Sequence, residues 1–141
     1  MSKAIPSVQK FMTYNPITIN ASKSVAEAQN LMKEKQIRHL PVMDQDKIVG
    51  IISDRDVKLV LSLVLTTPQS LKIKDIAHGS VYTVHPETPI DQVADEMASK
   101  HYGCAVVEDN HKIVGIFTVL DGLKAISDIC HQRYHVNHGE K

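Results

Sequence analysis

Apolar positions along this chain change period in a set order, and the order occurs twice. The runs PITI (Pro16–Ile19) and VYTV (Val81–Val84) are short and rich in β-branched residues, which predicts extended segments. After the first, Val25, Ala28, Leu31 and Met32 recur at helical spacing, and Ser24 with Glu27 supplies an S-x-x-E helix start. After the second, Ile90, Val93, Ala94 and Met97 trace one stripe, opened by Thr88 as the cap and Pro89 in the first turn. By this reading the two helix starts stand one residue out of step. Paired strands follow each helix: HLPVM with KIVGIIS around the turn DQD, and CAVVE with KIVGIFT around DNH. A last helix begins near Asp54 or Val119 and carries Val57, Leu61 and Val64, or Leu123, Ile126 and Ile129. The predicted unit is β-α-β-β-α, used twice in an α+β chain.

A shift of sixty-five positions superimposes the two halves without a gap. It aligns Thr18 with Thr83, Met32 with Met97, Val42 with Val107, Asp44 with Asp109, and Lys47–Ile51 with Lys112–Ile116. Ile52 with Phe117 and Ser53 with Thr118 are conservative pairs in the same register. Identity and apolar spacing coincide, so the expectation is an internal structural repeat. Residues 8–65 form the first copy, 66–72 a linker punctuated by Pro68, 73–129 the second copy and 130–141 a polar tail.

Within each copy a glycine is followed by two apolar residues, a hydroxyl, two variable residues and Asp. The first reads Gly50-Ile51-Ile52-Ser53-Asp54-Arg55-Asp56 and the second Gly115-Ile116-Phe117-Thr118-Val119-Leu120-Asp121. With these motifs, and with IRHLPV leading into a strand at Ile37–Val42, both halves resemble the cystathionine β-synthase (CBS) domain in its tandem, or Bateman, arrangement. The resemblance implies two β-α-β-β-α repeats packed with pseudo-two-fold symmetry. It also implies a regulatory role, with AMP, ADP or ATP in the groove between the repeats and S-adenosylmethionine as a substitute.

The spacing has its own physical logic. A helix that starts at the hydroxyl presents unpaired N–H groups and about half a positive charge, which suits phosphate oxygens. Three residues on, about one turn away, Asp56 or Asp121 can accept two hydrogen bonds from the vicinal hydroxyls of a ribose. Ser53 and Thr118 cap the helix or donate to phosphate. Gly50 and Gly115 leave room where ligand or backbone approaches closely. Arg38 and His39 stand where the resemblance implies a cation for phosphate, while Gly103 and Cys104 occupy that place in the second copy. Arg38 is equally readable as a solvated strand-end charge, His39 as a packed strand residue, and Arg55 as a solvated helix-face charge or a phosphate ligand. The resemblance further places adenine against PITI and VYTV. The slot would involve Thr18, Ile19, Thr83 and Val84, with Ile37, Pro41, Tyr102 and Val106 as walls or plain core.

Length, charge and cysteine use narrow the alternatives. At 141 residues the expectation is one domain or two sub-domains with a shared core. Sixteen basic and sixteen acidic residues, six Phe and Tyr and no Trp provide neither a basic track nor a stacking surface for nucleic acid. The longest apolar run, Val57–Leu65, is too short to span a bilayer, and the isolated Cys104 and Cys130 suggest a cytoplasmic, reduced setting. Cys104 as a nucleophile lacks a signature, since GCAVV reads as a buried strand. In the tail, Cys130, His131, His135 and His138 offer a zinc set, but a polar extension is the favoured reading and no metal is required. Apolar positions such as Leu61, Val64 and Leu65 on the last helices suggest a homodimer that reports ligand occupancy to a protein effector. The competing function class is a ligand-free protein-interaction scaffold. No enzymatic activity is expected.

Overall fold

The computed structural model describes residues 4–63, 69–77 and 79–134. Its elements are β1 (Thr13–Tyr14), β2 (Ile19–Asn20), α1 (Val25–Lys35), β3 (His39–Asp44), β4 (Lys47–Ser53), α2 (Asp54–Leu63), β5 (Thr83–Val84), α3 (Ile90–Lys100), β6 (Cys104–Asp109), β7 (Lys112–Thr118) and α4 (Val119–Tyr134). Short 3-10 turns cover Val8–Lys10 and Ile73–Asp75. The sixty-five-residue repeat is structural: α1 and α3 match end to end, as do β3 and β6, β4 and β7, and the two 3-10 turns. Even the irregularity in the hairpin ladder recurs, at Val42/Met43 and at Val107/Glu108.

The helix starts show why the copies stay in step. Ser24 Oγ accepts from Glu27 N–H at 3.1 Å and Glu27 Oε2 accepts from Ser24 N–H at 2.9 Å, which completes a capping box. In the second copy the cap is Pro89, not Thr88. Thr88 Oγ1 instead accepts from His85 N–H at 3.2 Å, holding the preceding turn. The expected one-residue offset is thereby corrected, because Pro89 occupies the place of Ser24 and its carbonyl accepts from Gln92 and Val93. Both helices end on a left-handed residue, Gln36 at φ 55° and His101 at φ 62°. Ile37 and Tyr102 then donate back to the carbonyls of Met32 and Met97 at 2.9 Å.

The compact units do not coincide with the sequence copies. One comprises residues 16–81 and the other joins residues 1–15 to 82–141. In the first, β2 runs parallel to β3, which pairs antiparallel with β4. In the second the order is β1-β7-β6-β5, with β5 parallel to β6 and β1 antiparallel to β7. The segment that opens each copy therefore completes the core of the other. Val8 is fully buried with Val84, Ile90, Val93, Val107 and Phe117, and Ile73 is fully buried with Ile19, Val25, Met32, Leu40 and Ile52. Matching backbone bonds fasten the two segments. Val8 N–H donates to Thr88 and Ile90 N–H to Pro6, just as Ile73 N–H donates to Lys23 and Val25 N–H to Leu71.

The fold refines the apolar positions of the second copy. Gly115 makes room for a side chain, since a Cβ there would collide with Met12 Sδ and lie 2.9 Å from its Cγ and Cε. Ala94 is exposed, leaving Ile90, Val93 and Met97 as the buried stripe of α3. On α4 the buried positions are Asp121 and Ala125, whereas Leu123 and Ile126 face outward at 58% and 60% exposure. Leu61 is half-buried on α2, and Val64, Leu65 and Pro68 lie outside the described residues.

Replacing Ile73 by Ala should cost about 2–5 kcal/mol in urea unfolding, as for a full core position. The neighbouring exposed Lys74→Ala should stay within about 0.5 kcal/mol. A loss under about 1 kcal/mol at Ile73 would show that the exchanged segment is not part of the core.

Candidate functional site

Each sequence motif falls where a strand passes directly into a helix. β4 ends at Ser53 and α2 begins at Asp54; β7 ends at Thr118 and α4 begins at Val119. The hydroxyls cap these helices: Ser53 Oγ accepts from Asp56 N–H at 3.1 Å and Thr118 Oγ1 from Asp121 N–H at 3.3 Å. The start of the preceding strand is tied to the same junction. The Arg38 carbonyl accepts from Asp54 N–H at 2.9 Å, and the Gly103 carbonyl from Val119 N–H at 3.3 Å. Across the ladder His39 stands opposite Ser53, and Cys104 stands opposite Thr118. Thus Arg38, His39, Ser53 and Asp56 gather at one junction, while Gly103, Cys104, Thr118 and Asp121 gather at its counterpart in the other unit.

The two aspartates differ in their surroundings. Asp121 is 7% exposed and its Oδ2 accepts from Thr118 N–H at 2.9 Å and Thr118 Oγ1 at 3.1 Å. Thr13 Oγ1, from β1, approaches Oδ1 and Oδ2 at 3.3 and 3.4 Å. Asp56 is half-buried and acts electrostatically on His39. Burial holds the His39 imidazole below its ordinary pKa and the adjacent Arg38 charge adds to this, with Asp56 opposing. Arg38 and Arg55 are exposed, and Asp54 is paired with Lys58 at 2.9 Å.

The base-slot candidates divide by burial. Thr18 and Thr83 are exposed, Ile37 and Tyr102 half-buried, and Ile19, Val84, Pro41 and Val106 buried. Tyr102 stacks on Tyr82 with ring centroids 5.4 Å apart and 27° between planes. Burial raises the Tyr82 phenol pKa, and Glu96 and Tyr102 push the same way. Tyr82 and Thr13 were not candidates in the sequence reading. Tyr82 sits inside the VYTV run and alternation could have flagged it, whereas Thr13 lies 108 residues from Asp121 and carries no local signal.

Burial drives the Cys104 thiol up to about 12, so it is a neutral, inert wall residue at ordinary pH. Among the described residues no group of three His, Cys, Asp or Glu is placed to hold a metal ion, and no helix is long and apolar enough to cross a membrane. His135 and His138 lie outside the described residues.

A duplicated α+β unit with a hydroxyl-x-x-Asp junction in each copy defines the CBS class. The CBS domain family model matches residues 8–63 and 73–128, and the chain belongs to that family. It is 34% identical to the uncharacterized protein MJ1232 of Methanocaldococcus jannaschii over 119 residues, covering 84% of this chain and 38% of that protein. Six relatives that carry enzyme names are spanned over 12% to 24% of their length. Among solved structures, a Vibrio cholerae protein assigned to acetoin utilization (AcuB) superposes with a TM-score of 0.82 at 25% identity, covering 95% of this chain and 99% of that one. The CBS domain pair of protein MJ0100, solved with 5′-methylthioadenosine and S-adenosyl-L-methionine, gives 0.79 at 30% identity, covering 89% and 99%.

A thiol reagent at pH 8 should modify exposed Cys130 in the native protein and reach Cys104 only in denaturant. The raised thiol pKa also sets a sign. Between pH 9 and 12 the unfolded chain releases a proton that the folded chain retains, so stability falls as pH rises through that window. Cys104→Ala should remove that part of the slope; native labelling of Cys104 at the Cys130 rate would contradict the buried assignment.

Proposed function

We propose that this chain is a regulatory module that binds an adenosine-containing small molecule and passes its occupancy to a protein effector. The observation that carries the reading is the recurrence, in both units, of a capping hydroxyl and an aspartate one turn later at a strand-to-helix junction. A 30% identical CBS pair holding two adenosine compounds supports it. Asp56 and Asp121 take ribose hydroxyls; Ser53, Arg38, His39 and Arg55 take phosphate, and Thr118 caps its helix beside the second ribose. Thr18, Ile19, Thr83 and Val84 border the base, with Ile37 and Tyr102 beside it and buried Pro41 and Val106 as its floor. AMP, ADP or ATP is the ligand class, with S-adenosylmethionine as the substitute. No catalytic step is assigned and no metal is needed. Two free cysteines fit a reduced, cytoplasmic setting.

The bonds already made by Asp121 favour a second reading for its own junction, that of a ligand-free scaffold. A diol there exchanges with hydroxyl donors from Thr13 and Thr118, so the net gain is small. Asp56 is the more exposed of the two carboxylates.

Self-association belongs to the same proposal. Val119, Leu120, Leu123 and Ile126 expose 57% to 62% of their surface on α4, an apolar face that a two-fold homodimer would cover. Light scattering should give a dimer mass for the unaltered chain and a monomer mass for Leu123→Glu with Ile126→Glu; a monomer in both cases would remove this part of the reading.

Thermal shift with AMP, ATP, S-adenosylmethionine and 5′-methylthioadenosine tests the ligand. At one hundred times Kd, binding stabilises the fold by about 2.7 kcal/mol. Asp56→Ala should weaken binding about 10- to 100-fold, the worth of a charge-assisted hydrogen bond. Each variant is compared with its own ligand-free Tm, because Asp121→Ala also loses the carboxylate's bonds to Thr118 and Thr13. No shift with any of the four compounds would leave the scaffold reading.

A further inference from the structure

We propose that the two junctions discriminate ligands by charge: the Ser53–Asp56 junction takes a 5′-phosphorylated adenosine through His39, and the Thr118–Asp121 junction rejects that anion. The inference rests on the adenosine-binding reading above and names the ligand class of each junction. It stands on one place in the ladder. His39 faces Ser53 at the position where Cys104 faces Thr118, and the preceding residue is Arg38 in one copy and Gly103 in the other.

The chemistry of these pairs diverges. An imidazole accepts a proton and then donates from both nitrogens to phosphate, while a buried neutral thiol provides neither charge nor a strong donor. Arg38 adds a guanidinium that is exposed and always charged. In the other unit, an added phosphate meets Gly103, Cys104 and the buried carboxylate of Asp121 without a compensating cation among them. The stacked Tyr82 and Tyr102 replace Ile17 and Ile37 of the first copy, which suits an uncharged aromatic nucleoside.

Proton coupling follows from the environment of His39. Asp56 on α2 favours the imidazolium and Arg38 on its own strand opposes it. Of the other charged residues at the start of α2, Asp54 is paired with Lys58 at 2.9 Å and Arg55 is exposed, and Ser53 across the ladder adds no charge. Burial keeps the ring neutral in the free protein, so a phosphate dianion that favours the imidazolium draws a proton in as it binds. Affinity then rises as pH falls from 8 toward 6.

Calorimetry with AMP and the uncharged 5′-methylthioadenosine tests this on the full chain, in buffers of different ionisation enthalpy. The unaltered chain should bind one AMP per chain, with proton uptake and tighter binding at pH 6 than at pH 8. His39→Cys should weaken AMP about 10- to 100-fold and abolish the uptake, with 5′-methylthioadenosine binding kept as the sign of an intact fold. Cys104→His, which leaves the first junction untouched, should add a second, weaker AMP. Two equal AMP sites in the unaltered chain, or AMP affinity indifferent to both substitutions, would overturn the discrimination while leaving adenosine binding in place. Binding of neither compound would overturn the functional reading and this inference with it.

Discussion

Val8 and Ile73 hold the architecture together. Each is fully buried, each opens a 3-10 turn, and each lies in a core whose strands and helices come from the other sequence copy. The exchanged segment completes each core with one fully buried apolar side chain and a pair of backbone bonds to the start of α1 or α3. The exchange ties both copies to one another in stability. Neither copy, as a contiguous stretch, contains its whole core.

That closure positions the junctions. β3 and β4, or β6 and β7, are held in one register by a two-residue turn whose leading residue, Gln45 or Asn110, adopts positive φ. A slip of one residue would turn Ser53 and Thr118 to the opposite face of the sheet. Register therefore sets the chemistry: it puts a hydroxyl at the helix start, the strand-start carbonyl of Arg38 or Gly103 on the first helical N–H, and His39 or Cys104 beside the hydroxyl.

Duplication preserved the backbone at the junctions and released the side chains. Thr13, carried in on β1, gives Asp121 a donor and burial, while Asp56 stays half-open beside an imidazole. Identical spacing thus yields two carboxylates with different neighbours.

The repeat, the element order, the hairpins and the hydroxyl-x-x-Asp spacing were legible from the residues alone, because apolar period and turn chemistry are local properties. So was the capping box at Ser24. The displaced cap at Pro89 was not, since Thr88 and Pro89 both carry start signals and only the backbone path chooses between them. Spacing marks Leu123 and Ile126 as an apolar stripe of the last helix, but that α4 turns Ala125 inward instead depends on packing. Local sequence determined what each segment becomes. Tertiary structure alone decided that residues 1–15 complete the second unit, that Thr13 reaches Asp121 and that Tyr82 stacks on Tyr102, because these contacts join distant segments whose meeting no short-range pattern encodes.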